Sequence, residues 1–278
     1  MTWLQAIALA VLQGITELFP VSSLGHAVLA PALLGWRNVD QASDTFLPFL
    51  VVMHLGTAVA LFLFFGRDWL AFGEAVLLNR GPRPALERRL FWRVVVATIP
   101  AVIVGAALHK LLKSAFATPV IAAVFLILNG VVLFATERLK RPPRKALDQL
   151  SWADALIVGA WQCLALIPGL SRSGVTIVGG LLQGLDHEES ARFSFLMAVP
   201  VILGATVLEA PKLLHAHVGH GVLAMAVAAG VVSGLVAYAS LWTLMRWFKR
   251  HEFKALDPFA VYCWLFGALS LGVLLLRR

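Results

Sequence analysis

The sequence has very little charge, and this scarcity excludes most classes of soluble protein. Only 14% of its 278 residues are Asp, Glu, Lys or Arg, whereas about 25% is usual in soluble domains, and 60% are hydrophobic. Acidic residues are the scarcest, 15 against 23 basic ones, which gives a formal net charge of +8. A chain of this composition belongs in a lipid bilayer.

Cysteine is nearly absent as well. The two cysteines, Cys163 and Cys263, lie in apolar segments and lack the spacing of a zinc site or of a disulfide framework. Residues 1–11 are apolar but have no Lys or Arg, so they do not resemble a signal peptide and we expect them to be retained.

What the sequence has in abundance is long apolar runs of bilayer-spanning length, which is about 20 residues. Basic residues bunch beside these runs, where membrane orientation and anionic lipids select for them, so the positive charge does not predict nucleic-acid binding. The basic runs after Gly66 and Glu137 predict solvated loops, and Ser151 with Asp154 predicts a capping box. His54, alone in the first run, is expected to be a satisfied core histidine. The six predicted spans are residues 46–66, 90–108, 119–136, 193–208, 221–245 and 258–276.

The two halves share a sparse pattern of polar and helix-breaking residues. An offset of 149 residues places Ser22 over Ser171 and Gly25 over Gly174, and three apolar spans follow each copy. We therefore predict one membrane domain, residues 1–278, built from repeat one, residues 1–138, and repeat two, residues 152–278. In the first half the pattern comprises Gln13, Pro20, Ser22, Ser23 and Gly25. The corresponding residues of the second half are Gln162, Pro168, Ser171, Arg172 and Gly174.

Each copy lies between two apolar legs that are too short to cross a bilayer. A leg of 13 residues reaches about 20 Å as a helix, less than the roughly 30 Å of hydrocarbon. The paired legs are residues 2–18 with 22–34, and residues 155–167 with 173–185. They predict two re-entrant hairpins whose irregular tips are buried in protein or line a wet cavity.

The distribution of basic residues favours this topology. With both hairpins re-entrant, 16 of the 23 Lys and Arg residues fall on one side and six on the other, with Arg172 buried. If each hairpin crossed once, the division would be 14 to 8, so the positive-inside rule favours re-entrance with both chain ends outside. The predicted fold is all-α: a polytopic membrane protein with six transmembrane helices and two re-entrant helical hairpins in an inverted-topology repeat, with both tips near the midplane.

The first tip groups side chains suited to covalent catalysis. Gln13 and Glu17 are spaced i, i+4 on one helix face, and Ser22, Ser23 and His26 follow within ten residues. A carboxylate inside a span costs about 2.5 kcal/mol or more, so Glu17 needs a partner. Hydrogen bonding between helices is one explanation. We favour the other, in which a nucleophile and a base lie within reach of each other.

The second tip, residues 168–176, contains Arg172, the one charged residue of an otherwise charge-free stretch. Arg172 could simply pair with Glu17. However, a guanidinium beside hydroxyls at the start of a helical leg is suited to a phosphate, so we predict an anion-binding site. The hydroxyls are those of Ser171, Ser173 and Thr176.

Together the two tips resemble a known family. The pattern Gln13-x-x-x-Glu17, PVSSxGH over residues 20–26 and PGLSRSGVT over residues 168–176 is similar to the undecaprenyl-diphosphate phosphatase family of the bacitracin-resistance type. The resemblance implies inverted repeats, a site open to the periplasm, and removal of the terminal phosphate of undecaprenyl diphosphate, which recycles the lipid carrier for peptidoglycan synthesis. The chain departs from that family at Leu24, where a small hydroxyl residue is common, and at Gln13, where many members have Glu.

The resemblance assigns roles to these residues. Ser23 attacks the terminal phosphorus, or water activated by the same residues does, while Glu17 and His26 transfer protons. A Mg²⁺ or Ca²⁺ ion near Glu17 is expected to assist. Arg172 acts at the reacting phosphate, and the diphosphate is bound by Gln13, Ser22, Ser171, Ser173 and Thr176.

The same resemblance sets the expected surroundings. The partners are the polyprenyl diphosphate lipid and the membrane, no nucleic acid, with a homodimer left open. The location is the bacterial inner membrane. A transporter or flippase is the main alternative, because broken helices at the midplane are a transporter design. The type-2 phosphatidic-acid-phosphatase superfamily is a third, but its downstream His and Asp are missing after Arg172.

Overall fold

A computed structural model describes residues 1–39, 43, 45–116, 118–140, 142–215, 220–251 and 253–277, with backbone alone for 109–116, 210, 212–215 and 220. Within these ranges all regular secondary structure is helical, which confirms the predicted all-α class. Its α-helices are α1 (Trp3–Thr16), α2 (Ser23–Leu34), α3 (Phe46–Phe64), α4 (Gly66–Gly73), α5 (Pro84–Phe116), α6 (Pro119–Leu139), α7 (Trp152–Leu164), α8 (Arg172–Leu182), α9 (His187–His215), α10 (His220–Arg250) and α11 (Asp257–Leu276).

Six of these helices are long and apolar enough to cross a membrane, as predicted. They contain the segments Phe46–Phe64, Pro84–Leu108, Pro119–Leu139, His187–Glu209, Gly221–Arg250 and Asp257–Leu276. Several of these helices extend beyond the apolar runs from which they were predicted. For example, α9 begins at His187, six residues before the predicted start, because Asp186 accepts a hydrogen bond from the Glu189 N–H and caps the helix there.

Four further helices are too short to cross a membrane and form two pairs, α1 with α2 and α7 with α8. With 11 to 14 residues each, they measure about 17 to 21 Å. The predicted capping box of Ser151 and Asp154 is present and starts α7. The outer ends of each pair lie close together. The Met1 ammonium donates to the Asn38 carbonyl at 3.1 Å, and the Gly184 carbonyl accepts from two backbone N–H groups of the segment before α7.

Helices from the two halves of the chain pack against each other. Helix α1 packs against α10 and α7 against α5, and the spans that the predicted repeat equates are also in contact, α3 with α9 and α6 with α11. Glycine permits the closest approaches. A Cβ atom added to Gly14 of α1 would lie 2.6 Å from the Ser233 oxygen of α10, and one on Gly159 of α7 would lie 2.2 Å from the Ala97 oxygen of α5. Such close contacts through small residues are how membrane helices associate.

The segment after Gly66 corrects one prediction. Instead of a solvated loop it forms α4 and a π-helical turn, Glu74–Leu78. The reason is an apolar face that the basic residues conceal in the sequence: Phe72 is buried and packs edge-on against Phe91 of α5. The run after Glu137 does leave the helix at Leu139, as expected.

Charged side chains tie together the helix ends on the basic side of the molecule. The Glu137 carboxylate of α6 lies 2.8 Å from His187 of α9 and 2.8 Å from Lys140, and it accepts the Leu256 N–H before α11. Further ion pairs join Arg138 to Asp257 and Arg192 to Asp68. The ends of α4, α6, α9 and α11 are therefore held at one face.

Candidate active site

The two serines that the repeat superposes cap the two return helices. Ser22 is the N-cap of α2 and accepts a hydrogen bond from the Gly25 N–H at 3.2 Å; Ser171 is the N-cap of α8 and accepts from the Gly174 N–H at 3.1 Å. Ser22 has a φ of +68°, a conformation that non-glycine residues rarely adopt. Both tips therefore end in the N-terminus of a helix, which favours anionic ligands.

The two tips touch each other. A Cβ atom on Gly25 would lie 3.1 Å from the Gly169 Cα, and one on Gly169 would lie 2.4 Å from the Ala122 oxygen of α6. Gly169 also has a φ of +104°, so only glycine fits here without strain. The contact brings residues from both halves of the chain into one site.

A buried amide on α6 joins the tips, and no motif in the sequence predicts it. The Asn129 side chain is fully buried; its Nδ2 donates to the Pro20 carbonyl at 2.8 Å, and its Oδ1 accepts from the Ser171 N–H at 3.0 Å. One amide thus satisfies a backbone acceptor of the first tip and a backbone donor of the second. Unpaired backbone groups of this kind would be costly at membrane depth.

The Glu17 carboxylate is the centre of the site. Its Oε1 accepts from Arg172 Nη2 at 2.7 Å, and its Oε2 accepts from Ser23 Oγ at 2.5 Å and from Gln13 Nε2 at 3.2 Å. The same Oε2 lies 3.2 Å from His54 Nε2. The predicted alternative pairing of Arg172 with Glu17 is therefore present, and it leaves the nucleophile candidate bonded to a carboxylate.

Arg172 retains donors beyond this ion pair. Its Nη1 donates to the Ser194 carbonyl of α9 at 3.1 Å. Among the described residues the guanidinium makes these two hydrogen bonds, so three of its five N–H groups remain for a ligand. The Glu17 carboxylate balances the charge of Arg172 and holds its guanidinium in place. The free N–H groups are therefore already oriented when an anion binds.

The His54 ring faces the Glu17 carboxylate. Its Nδ1 lies 2.8 Å from the Leu50 carbonyl, which can only accept, so Nδ1 carries a hydrogen. A neutral His54 would then present a bare Nε2 to a carboxylate oxygen 3.2 Å away. The contact is favourable when one proton lies on either partner, which makes the pair an acid–base couple. The sequence predicted a satisfied core histidine, because nothing local indicates that Glu17 faces it.

His26, by contrast, is directed away from this cluster. Its Nδ1 lies 2.7 Å from the Ser22 carbonyl and its Nε2 lies 2.7 Å from the Tyr262 hydroxyl of α11. The ring stacks on Phe266 with centroids 4.9 Å apart. Both ring nitrogens are therefore occupied, one by the backbone of the first tip and one by α11, and the structure does not bring the imidazole to Ser23 or Glu17.

The cluster lines a cavity of about 310 Å³ with largely apolar walls. An apolar cavity with a few convergent polar groups is typical of a site for an amphiphilic small molecule. The wall follows α3 from Leu47 to His54 and α9 from Val201 to Glu209. The polar residues that line it are Glu17, Ser22, Ser23, His54, Gln162, Ser171, Arg172 and Glu209.

Five of the nine residues predicted from the two tips line this cavity: Glu17, Ser22, Ser23, Ser171 and Arg172. Gln13 lies outside the lining and donates a hydrogen bond to Glu17. Ser173 Oγ donates to the Phe19 carbonyl at 3.2 Å, and Thr176 Oγ1 lies 2.6 Å from Ser194 Oγ, so both are buried in protein. The polar lining residues that the site prediction omitted are His54, Gln162 and Glu209.

Comparison with known proteins gives one consistent result. Residues 6–269 match the family described as bacitracin resistance protein BacA. A protein of Acidiphilium cryptum named undecaprenyl-diphosphatase is 56% identical over 279 residues, 98% of each chain. Proteins with that same name from Granulibacter bethesdensis and Gluconacetobacter diazotrophicus are 53% and 51% identical, over 98% and 99% of this chain and 97% and 98% of theirs.

Proposed function

The chain belongs to the family of the bacitracin resistance protein BacA, and we propose that it is an undecaprenyl-diphosphatase. It removes the terminal phosphate of undecaprenyl diphosphate and returns undecaprenyl phosphate, the lipid carrier of cell-wall synthesis. The observation that carries the proposal is the hydrogen bond of 2.5 Å from Ser23 Oγ to Glu17 Oε2, in a cavity that also holds a guanidinium with free donors.

The geometry supports a reaction in two steps. In the first, Ser23 Oγ attacks the terminal phosphorus while its proton moves to Glu17 Oε2. The bond from phosphorus to the bridging oxygen breaks, and the bridging oxygen leaves with the electron pair as part of undecaprenyl phosphate. In the second, water attacks the phosphorus of the phosphoserine, the bond from phosphorus to Ser23 Oγ breaks as Oγ takes the proton back from Glu17, and inorganic phosphate leaves with the water oxygen and both water protons. Glu17 thus acts first as a base and then as an acid.

The remaining polar groups position the diphosphate and neutralise its charge, which is most of what phosphoryl transfer requires. Arg172 directs its free N–H groups at the diphosphate while its ion pair fixes it to Glu17. With Nδ1 protonated toward the Leu50 carbonyl, a neutral His54 can take up at Nε2 the proton that Glu17 receives. His26 holds the Ser22 carbonyl and through it the backbone of the nucleophile. A Ser23 that is merely a binding residue, with water as the nucleophile, is the alternative within this same function.

We also propose that a divalent cation accompanies the diphosphate. Glu17 and Glu209 are the two carboxylates of the cavity wall, and Glu17 is already engaged by Arg172 and His54. In the described part of the chain no three His, Cys, Asp or Glu side chains are grouped to hold a metal ion. The phosphate oxygens would therefore supply most of the ligands, with Glu17 the protein ligand nearest the reacting group, and the cation would neutralise charge on the diphosphate.

For the membrane arrangement we propose two re-entrant hairpins, α1 with α2 and α7 with α8, in an inverted repeat. Their short legs, their paired outer ends and the exchange of partners between α1 with α10 and α7 with α5 support it. The proposed halves are residues 1–138 and 152–278. The cavity wall runs toward the start of α3 and the far end of α9, opposite the face where α4, α6, α9 and α11 are tied. We place that wall at the periplasmic side of the inner membrane.

The topology is tested by labelling single cysteines with an impermeant maleimide in intact cells. With Cys163 and Cys263 replaced, Arg83→Cys should stay unlabelled, because it precedes α5 on the basic face. Arg37→Cys, which follows α2, should be labelled and is the matched control. Labelling of both positions, or of the Arg83 variant alone, would overturn the topology.

The activity is tested with purified protein and a polyprenyl diphosphate. We expect release of inorganic phosphate, its loss in Ser23→Ala, and normal release in Ser270→Ala, which removes a buried hydroxyl of α11 outside the cavity. Acid quenching with substrate labelled in the terminal phosphate should trap a phosphoprotein. Full activity of Ser23→Ala would leave activated water as the nucleophile. Transport of the lipid without phosphate release would establish the transporter alternative instead.

A further inference from the structure

The side chain of Gln162 is a buried amide in the cavity wall. It lies near the end of α7, is 2% exposed, and lines the cavity beside Arg172 and Ser171. Neither its amide nitrogen nor its amide oxygen has a hydrogen-bond partner among the described residues. Each buried polar group left unpaired costs on the order of 1–3 kcal/mol. Because Gln162 lines the cavity, a ligand bound there could supply the missing partner.

The repeat indicates what that partner is. The offset of 149 residues that superposes the tips also superposes Gln13 on Gln162. In repeat one the amide of Gln13 donates to Glu17, four residues on, at 3.2 Å. In repeat two the residue four positions on is Leu166, which has no acceptor and lines the same cavity. The second amide is thus placed to meet an anionic oxygen that the protein does not provide.

We propose that Gln162 is a substrate-binding residue whose Nε2 donates to a diphosphate oxygen of the bound lipid; this rests on the proposed function. An ionised diphosphate only accepts hydrogen bonds, so Nε2 is the atom that meets it. The Oε1 atom then needs a donor, which a water molecule beside the diphosphate supplies. Arg172 contributes charge to the same ligand, and Gln162 contributes a neutral donor from the opposite end of the second tip.

The test compares Gln162→Met with the wild type and with Gln183→Met, a control at the end of α8 outside the cavity lining. Methionine keeps the length and volume but donates nothing. A hydrogen bond to a charged acceptor is worth about 1.5–3 kcal/mol, so kcat/KM should fall at least about tenfold. The melting temperature in detergent should stay equal or rise, because two unpaired polar atoms are removed. Gln162→Glu should lose more, since a carboxylate repels the diphosphate.

Affinity for a methylene-bridged polyprenyl diphosphonate, which cannot be hydrolysed, separates this inference from the proposed function. If the wild type binds the analogue but releases no phosphate from the polyprenyl diphosphate itself, the proposed activity is wrong. Weaker binding of the analogue by Gln162→Met would still support the inference. Wild-type kinetics and affinity in Gln162→Met would overturn it. So would a fall in melting temperature that parallels the loss of activity, a Glu variant that outperforms the Met variant, or a wild type that does not bind the analogue.

Discussion

Glu17→Gln removes one charge from the site with little change of shape, and the structure indicates how it acts. Both carboxylate oxygens face donors: Arg172 at 2.7 Å on one, Ser23 at 2.5 Å and Gln13 at 3.2 Å on the other. An amide offers one oxygen and one NH₂ group. The oxygen will face Arg172, whose hydrogens cannot turn away, and the NH₂ will face Ser23, whose hydroxyl can rotate. Ser23 then loses its base while the ligand site remains.

Two magnitudes follow for this variant. Loss of a positioned base typically costs 10²–10⁴ in rate, so we expect kcat to fall by about that factor with little change in KM. The guanidinium of Arg172, with a side chain 14% exposed, loses its counter-charge. Breaking a buried ion pair by removing one partner costs about 3–5 kcal/mol, so the melting temperature should fall clearly.

A double variant separates the two effects. Phosphate release and thermal unfolding in detergent are measured for wild type, Glu17→Gln and Glu17→Gln with Arg172→Gln. The second substitution removes the uncompensated charge, so stability should recover while activity stays lost. A Glu17→Gln protein with the kcat of the wild type would refute the assignment of Glu17 as the base, and equal melting temperatures of all three would refute the ion pair.

Three further substitutions test other parts of the site. Arg172→Lys should lose about as much kcat/KM as Arg172→Ala, because an ammonium cannot bond Glu17, the Ser194 carbonyl and a phosphate together; near-normal turnover would contradict this. Asn129→Leu leaves two backbone groups of the tips unpaired and should lower the free energy of unfolding by about 2–4 kcal/mol, so unchanged urea denaturation would argue against the bridge. His54→Gln keeps a hydrogen-bonding side chain but shares no proton, so phosphate release should fall at least about tenfold at normal melting temperature; full turnover would return His54 to a packing role.

The sequence predicted well those features that local chemistry determines. The spans follow from the length of the apolar runs, the short legs from their residue number, and the start of α7 from its capping side chain. The Ser and Gly positions of the tips were recognisable because a helix start needs an N-cap oxygen, and the contact between the tips needs a residue without Cβ. These requirements act over a few residues and so leave a readable pattern.

What escaped prediction depends on contacts between distant segments. Asn129 bonds Pro20 across 109 residues, and His26 bonds Tyr262 across 236. A lone polar residue on an apolar helix has the same sequence pattern whether it faces another helix, a tip or a cavity. Only the packing of α3 beside the first tip turns His54 from a core histidine into the partner of Glu17.

The ion pair of Glu17 and Arg172 joins residues 155 positions apart, one from each half of the chain. During synthesis the first half must therefore insert with a buried carboxylate whose cation has not yet been made, and His54 is the basic group of its own half within reach. A protonated His54 would act as a temporary counter-ion until the second tip arrives with Arg172. The site is complete only when α8 and α9 have both been made, because α8 carries Arg172 and α9 supplies the Ser194 carbonyl that Arg172 bonds.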